Sequence, residues 1–104
     1  MKDVSQQEWR ELIKNDVNAV IIDVRTPEEW EDGIQENAQM MNVQDTHAFM
    51  DAASSLDKGK NYYMYCRSGG RSQMACQVLG SIGIENTYNL LGGMMEWDGI
   101  TTTP

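Results

Sequence analysis

The chain has 104 residues, of which 40% are hydrophobic and 23% are charged, and this length predicts one globular domain spanning residues 1–104. Its formal net charge of −8 disfavours binding to nucleic acids and to membranes, because both select proteins with basic patches. No apolar run is long enough to span a membrane and the N-terminus is amphipathic, unlike a secretory signal, so we expect a soluble, cytoplasmic protein.

The first third of the chain predicts helix, strand and helix in that order. Residues 5–14 are amphipathic, and Ser5 and Glu8 have the spacing of a capping box, so a first helix is predicted there. Residues 19–24 form a short apolar run of mostly β-branched residues, which is typical of a strand buried on both faces of a parallel sheet. A threonine and a proline at positions 26–27 then predict the N-cap and first turn of a short helix.

Strands and helices continue to alternate along the rest of the chain. The predicted elements are a brief strand at 40–43, a helix from 46 to the Asp-Lys-Gly-Lys break at 57–60, a strand at 62–65, a helix at 72–79, a strand at 87–91 and a short helix at 94–97. This alternation favours βαβ units. We therefore expect an α/β fold with a mainly parallel sheet and helices on both of its faces.

The most informative residue is Cys66, which follows the predicted strand at 62–65 and comes just before a helix. In open α/β sheets, ligands bind outside the carboxyl ends of the strands, so this thiol lies where such a fold places its chemistry. Arg67 and Arg71 are the only lysines or arginines after position 61. This concentration of positive charge predicts attraction of a small anion to the loop that follows Cys66.

The loop that follows Cys66 is also expected to lower the pKa of its thiol. Gly69 and Gly70 can take positive φ, which lets the backbone N–H groups of residues 67–71 form an anion-binding nest. A helix starting near position 71 or 72 would direct its positive dipole end to the same place. Both effects lower the pKa of a cysteine, so we predict that Cys66 is mostly a thiolate at neutral pH.

The histidine and the other cysteine of the chain are not expected to act with Cys66 as a general base, a second thiol or a metal ligand. His47 is the only histidine and is interpreted as a surface residue near a helix start. Cys76 is interpreted as a core residue on an apolar helix face. Two cysteines and one histidine do not complete a usual zinc site, and no metal or organic cofactor is implied. A thiolate that needs no general base favours sulfur chemistry, in which it attacks a sulfane sulfur and the leaving group departs as a stable anion.

Three segments, in order, resemble the signatures of the single-domain rhodanese family. Residues 21–30, Ile-Ile-Asp-Val-Arg-Thr-Pro-Glu-Glu-Trp, resemble its first signature. Residues 66–72, Cys-Arg-Ser-Gly-Gly-Arg-Ser, resemble its active-site loop, and residues 91–97, Leu-Gly-Gly-Met-Met-Glu-Trp, resemble its C-terminal signature. The resemblance implies a rhodanese-like fold, with a mainly parallel five-stranded sheet covered by helices on both faces.

The same resemblance implies a thiosulfate sulfurtransferase-type enzyme. Cys66 would be the catalytic residue, carrying sulfane sulfur as a persulfide from a small anionic donor such as thiosulfate to a thiol or cyanide. Asp23 and Arg25 would support the structure beside the loop, although an ion pair of Arg25 with Glu29, four residues on, is also expected. Where the family often has Gly-His-Ile, Ile34 replaces the histidine. The expected substrate-binding residues are Arg67, Ser68, Gly69, Gly70 and Arg71.

Two other functions stay open. The first is a persulfide-relay module that exchanges sulfur with a partner protein in a sulfur-trafficking pathway. The second is a phosphatase or arsenate reductase, since these also begin with thiolate attack. Four residues separate Cys66 from Arg71, whereas the related phosphatases have five, so the loop resembles the sulfurtransferase version.

Overall fold

The computed structural model describes residues 1–104. None of its helices is both long enough and apolar enough to cross a lipid bilayer. In chain order the elements are β1 (Lys2–Val4), α1 (Gln6–Lys14), β2 (Ala19–Asp23), α2 (Pro27–Trp30), β3 (Ile34–Gln35), β4 (Gln39–Met40), α3 (Thr46–Ser54), β5 (Asn61–Tyr65), α4 (Gly70–Ser81), β6 (Thr87–Leu90), a 3-10 helix (Gly93–Met95) and β7 (Thr101–Thr102).

The main sheet has five strands in the order β1-β6-β5-β2-β4, and all four strand pairs are parallel. The predicted α/β fold and mainly parallel five-stranded sheet are therefore confirmed. The brief strand predicted at 40–43 is shorter and lies at Gln39–Met40. Strands β3 and β7 form a separate antiparallel pair. Because β5 is the middle strand, its carboxyl end lies between those of β2 and β6.

Strand β5 divides the core into two layers because side chains alternate between the faces of a sheet. Tyr62 and Met64 belong to the larger cluster, under α3 and α4. Tyr63 and Tyr65 belong to the second cluster, where Trp9 of α1 packs edge-on against both rings. A five-residue strand buried on both faces fixes the position of the residue that follows it, which is Cys66.

The first two helices begin as the sequence predicts. Ser5 accepts a hydrogen bond from the Glu8 N–H at 3.2 Å, although the Glu8 carboxylate contacts Lys2 instead of closing the capping box. Thr26 makes the complete box with Glu29, since its Oγ1 accepts from the Glu29 N–H and its own N–H donates to the Glu29 carboxylate. The box holds the Glu29 carboxylate at the start of α2, which matters for the site described next.

Candidate active site

Cys66 lies at the carboxyl end of the central strand, between Tyr65 of β5 and the loop that leads into α4. Its side chain is only 1% exposed. Two groups from the following residues contact its sulfur: the Gly69 N–H, at 3.0 Å, and the Ser72 Oγ, at 3.3 Å. The chain therefore folds back around the thiol within six residues.

The shape of the loop depends on Gly69, which has a φ of +112° and is the N-cap of α4. This left-handed conformation is accessible to glycine without strain. Gly70, which was also expected to allow positive φ, is instead the first residue of the helix. The helix thus begins one to two residues earlier than the sequence predicts. Its first turn, with its free N–H groups and positive dipole end, adjoins the Cys66 sulfur.

The surroundings of Cys66 favour the thiolate. Burial raises the pKa of the Cys66 thiol, but hydrogen bonds from the Ser72 hydroxyl and from the N–H groups of Ser72, Gly69 and Ser68 more than offset it. The pKa consequently lies below its ordinary value. The direction agrees with the expected ionisation, and its cause is the hydrogen-bonding loop and not an adjacent general base.

Removal of the Ser72 hydroxyl should make the thiol harder to ionise. We expect Ser72→Ala to raise the pKa of Cys66 and to slow alkylation by iodoacetamide about tenfold at pH values below the midpoint, because a charge-assisted hydrogen bond is lost. The measurement is the alkylation rate as a function of pH. Ser68→Ala is the matched control, since Ser68 contributes its backbone N–H and keeps it in the variant. An unchanged midpoint in Ser72→Ala would contradict the assigned role of the hydroxyl.

Ser72 is itself held by a polar network that the sequence analysis missed. Its Oγ also lies 2.5 Å from Asn89 Oδ1, so this amide oxygen and the Cys66 sulfur are alternative acceptors for the single hydroxyl proton. Asn89 Nδ2 donates to Asp3 Oδ1 at 3.0 Å and to the Gly69 carbonyl at 3.3 Å. Asn89 is 2% exposed in β6, and Asp3 is in β1, the next strand. The available signal was a polar asparagine inside the otherwise apolar stretch at 88–91.

The C-terminal signature packs directly on this loop. The Met94 N–H donates to the Cys66 carbonyl and the Met95 N–H donates to the Arg67 carbonyl, both at 2.9 Å. The approach is close at Gly93, where an added Cβ would lie 2.5 Å from both of these carbonyl oxygens. Gly93 thus lets one loop rest against the other, which explains why a glycine occurs at this place in the chain.

Asp23 and Arg25 form a buried ion pair beside the loop. The Arg25 Nη2 lies 2.7 Å from Asp23 Oδ2, its Nε donates to both carboxylate oxygens, and Nη2 also donates to the Gly33 carbonyl at 2.7 Å. The expected ion pair of Arg25 with Glu29 is wrong. Asp23 is fully buried at the end of β2, so its carboxylate takes the nearby guanidinium, while Glu29 faces another partner.

Breaking the buried pair of Asp23 and Arg25 is expected to destabilise the fold. We expect Arg25→Met to lower the free energy of unfolding by about 3 kcal/mol, because it leaves a buried carboxylate without its cation. Urea unfolding measures the loss. The double variant Asp23→Asn with Arg25→Met removes both charges. In the wild type the backbone N–H of residue 25 donates to Asp23 Oδ1, and the asparagine side chain still offers an oxygen that can accept this bond. This variant should regain much of the loss, and a double variant as unstable as Arg25→Met would count against this explanation.

Glu29, in α2, pairs with Arg71, in the first turn of α4. Arg71 Nη1 and Nη2 donate to the two Glu29 carboxylate oxygens at 2.7 and 2.8 Å. These hydrogen bonds are the main cause that lowers the pKa of Glu29 to about 2. The pairing joins α2 to the first turn of α4, 42 positions apart in sequence.

A cleft of about 340 Å³ opens beside the loop that follows Cys66, although the buried Cys66 is not among the residues that line it. Arg67 follows Cys66 directly in the chain, and Met94 donates its N–H to the Cys66 carbonyl. A larger cavity of about 580 Å³ lies between α1 and the C-terminal segment and is lined by none of residues 66–72. The cleft is lined by Arg25, Glu29, Asp32, Arg67, Met94 and Met95.

The other residues singled out in the sequence lie away from this cleft. His47 is exposed near the start of α3, where it faces Asp51 at 3.5 Å, in agreement with its interpretation as a surface residue. Cys76 is buried in the core, as predicted, and burial raises its pKa to about 11. Ile34 is buried in β3 and pairs with Thr102 of β7. The chain gathers no cluster of three or more metal-ligating side chains.

Comparison with known proteins identifies relatives of similar length. The chain is 38% identical over 101 residues to YtwF of Bacillus subtilis, which is named as a candidate sulfurtransferase, and the match covers 97% of this chain and 94% of YtwF. It is 27% identical to a protein of Allochromatium vinosum named sulfurtransferase, over 93% of this chain and 88% of that protein. A tRNA uridine(34) hydroxylase of Chlamydia abortus is 31% identical, but the chain spans only 31% of its length.

Similar solved structures and the matching family model belong to the same class of proteins as these relatives. The fold superposes on a rhodanese-like domain protein from Staphylococcus aureus with a TM-score of 0.86 at 30% identity, covering 100% of this chain and 99% of that one. The human single-domain sulfurtransferase TSTD1 superposes with a TM-score of 0.75 at 26% identity, covering 93% of this chain and 95% of that one. Residues 5–99 match the Rhodanese-like domain family. The chain therefore belongs to the rhodanese-like family, whose members among its relatives include proteins named sulfurtransferases.

Proposed function

We propose that this protein is a sulfurtransferase that carries sulfane sulfur as a persulfide on Cys66. The observation that carries the proposal is the sulfur at the end of the central strand, within hydrogen-bonding distance of the Gly69 N–H and the Ser72 hydroxyl. These donors stabilise a thiolate without a general base, which suits a reaction that needs little proton transfer. The names of the relatives of similar length support the same class of reaction.

The reaction has two displacement steps. In the first, the Cys66 thiolate attacks the sulfane sulfur of a donor; a new sulfur–sulfur bond forms, the donor's own bond to that sulfur breaks, and the leaving group departs with the electron pair. With thiosulfate, the leaving group is sulfite. In the second step, a thiolate or cyanide attacks the outer sulfur of the persulfide and Cys66 leaves as a thiolate. The enzyme returns to its starting state with no net redox change.

In this mechanism the loop of residues 67–71 binds the sulfur donor and the persulfide. Its N–H groups face the Cys66 sulfur and would stabilise negative charge on the outer persulfide sulfur, as an oxyanion hole does for oxygen. Asp23 and Arg25 act as supporting residues, because their buried pair lies beside the loop and not in contact with Cys66. The residues proposed to hold the donor are Arg67, Ser68, Gly69, Gly70 and Arg71.

Two alternatives remain distinguishable by experiment. In a persulfide relay, the donor or acceptor is a partner protein, so loading by small molecules would be slow and a pull-down would depend on the Cys66 persulfide. An arsenate reductase or phosphatase would turn over arsenate or an aryl phosphate instead. The four residues between Cys66 and Arg71 make a small cradle, which favours sulfur over a phosphoryl group. The proposal includes a cytoplasmic location.

The proposal is tested by intact-mass measurement of the protein after incubation with a sulfane donor and then with cyanide. We expect the gain of one sulfur atom, its localisation to the peptide that contains Cys66, and its removal by cyanide. Thiosulfate and a hydropersulfide are tried in parallel because they differ in charge. No gain of sulfur with either donor would contradict the persulfide mechanism, and arsenate and an aryl phosphate would then be assayed.

A further inference from the structure

We take as the entrance to the active site the cleft beside the Cys66 loop, together with Asp23 and Arg71, which do not line it but pair with its Arg25 and Glu29. This entrance carries less free positive charge than its three arginines indicate. Arg25 is paired with Asp23, and Arg71 is paired with Glu29. Arg67 is exposed and takes part in none of the ion pairs of the chain. One guanidinium of three is thus available to an incoming anion.

The carboxylates at the entrance balance the arginines in number. Asp32 lines the cleft together with Glu29, and its carboxylate forms none of these ion pairs. The entrance is therefore close to neutral in a protein whose formal net charge is −8. The three guanidiniums belong to Arg25, Arg67 and Arg71, and the three carboxylates belong to Asp23, Glu29 and Asp32.

Glu29 is held in the position that neutralises Arg71. Its carboxylate accepts from both terminal nitrogens of Arg71 and also from the Thr26 N–H and hydroxyl. The pair is about a quarter exposed on each side, so it is only partly screened by water. Because its pKa is about 2, Glu29 keeps its negative charge throughout the physiological pH range. The neutralisation of Arg71 is consequently a permanent property of the site.

Sulfane donors differ in how much positive charge they require. Thiosulfate carries two negative charges, so its encounter with the Cys66 thiolate brings three negative charges together, and sulfite leaves with two. The transferable group of a hydropersulfide, R–S–SH, carries no charge when protonated and one negative charge when ionised, so it always carries fewer negative charges than thiosulfate. The thiolate takes its outer sulfur, the S–S bond of the donor breaks, and R–S⁻ leaves with the electron pair and one negative charge. A neutral entrance therefore penalises thiosulfate more than a hydropersulfide.

We propose that Glu29 is a specificity-determining residue, which by pairing with Arg71 makes the site select hydropersulfide donors over the thiosulfate dianion. This inference rests on the proposed sulfurtransferase function and names the donor class for the same site. Glu29 does not contact Cys66; it acts on the donor through the charge of Arg71, which lies in the first turn of α4 and interacts electrostatically with Cys66.

The test compares Glu29→Gln with the wild type in single-turnover loading. The second-order rate of sulfur gain on Cys66 is measured by intact mass, with thiosulfate and with cysteine hydropersulfide as donors. We expect the ratio of the thiosulfate rate to the hydropersulfide rate to rise about tenfold in Glu29→Gln, because Arg71 becomes a free cation. Both donors react with the same thiolate, so a change in its ionised fraction alters both rates equally and leaves the ratio unchanged.

Two control variants separate this effect from less specific ones. Glu31→Gln removes the same charge from an exposed position two residues away that does not line the cleft, and it should leave the ratio within about twofold of the wild type. Glu29→Asp keeps the charge and should keep the wild-type preference. An unchanged ratio in Glu29→Gln, or an equal rise in Glu31→Gln, would overturn the inference.

The design also distinguishes a failure of this inference from a failure of the proposed function. If the wild type loads neither donor, the persulfide mechanism falls and the inference falls with it. If the wild type loads hydropersulfide but Glu29→Gln loses that activity by more than about tenfold, Glu29 positions the loop and the specificity role is overturned. Retention of hydropersulfide loading in Glu29→Gln shows that the site is still assembled, and the ratio then decides the question.

Discussion

Replacement of Cys66 by serine is expected to lower the rate of sulfur transfer by at least about a thousandfold. A serine hydroxyl is not ionised at neutral pH, and it forms no persulfide. The side chain is almost the same size, and its neighbours Gly69 and Ser72 are hydrogen-bond donors that a hydroxyl oxygen also satisfies. The fold should therefore survive, and circular dichroism and thermal unfolding should remain close to the wild type while the mass gain disappears.

Cys76 provides the matched control because it is the other cysteine and is equally buried. Burial raises its pKa to about 11, so it is a thiol at neutral pH and is unsuited to attack. Cys76→Ala should load sulfur at a rate within about threefold of the wild type, with a modest loss of stability from the smaller side chain. Loading that persists in Cys66→Ser and disappears in Cys76→Ala would reverse the assignment of the sulfur carrier.

The sequence predicts the Cys66 loop well because the determinants of that loop are local. Residues 62–65 are apolar on both faces of the strand, so the strand and its carboxyl end could be placed before the structure was known. The glycine that adopts positive φ, Gly69, also lies within the signature itself. Backbone N–H groups and a helix start next to the thiol follow from these neighbours alone, and so does the direction in which its pKa moves.

The partners of the charged residues could not be predicted in this way because they depend on tertiary contacts. The spacing of Arg25 and Glu29 suggests a pair on a helix, but Arg25 precedes α2 and its guanidinium turns to buried Asp23. Glu29 then meets Arg71, which is distant in sequence. Strand β1 was missed for the same reason, since Lys-Asp-Val has no strand pattern and forms one by pairing with β6.

Gly93→Ala is expected to disrupt the site from outside the Cys66 loop. An added Cβ would lie 2.5 Å from the carbonyl oxygens of Cys66 and Arg67, which is far inside van der Waals contact, and the φ of +53° at Gly93 also disfavours alanine. Those two carbonyls accept the N–H groups of Met94 and Met95, so neither loop can move without losing hydrogen bonds. The free energy of unfolding should fall by about 2 to 4 kcal/mol.

Catalysis should suffer together with stability in Gly93→Ala, because a shift of about 1 Å in the reacting sulfur lowers the rate on the order of a hundredfold. Gly80→Ala is the matched control: Gly80 lies in α4 with nothing within 4 Å of an added Cβ, and alanine there should add about 0.5 to 1 kcal/mol to the free energy of unfolding. Urea unfolding and single-turnover loading are measured on both variants. A Gly93→Ala protein with wild-type stability and loading rate would show that the C-terminal signature does not hold the Cys66 loop in place.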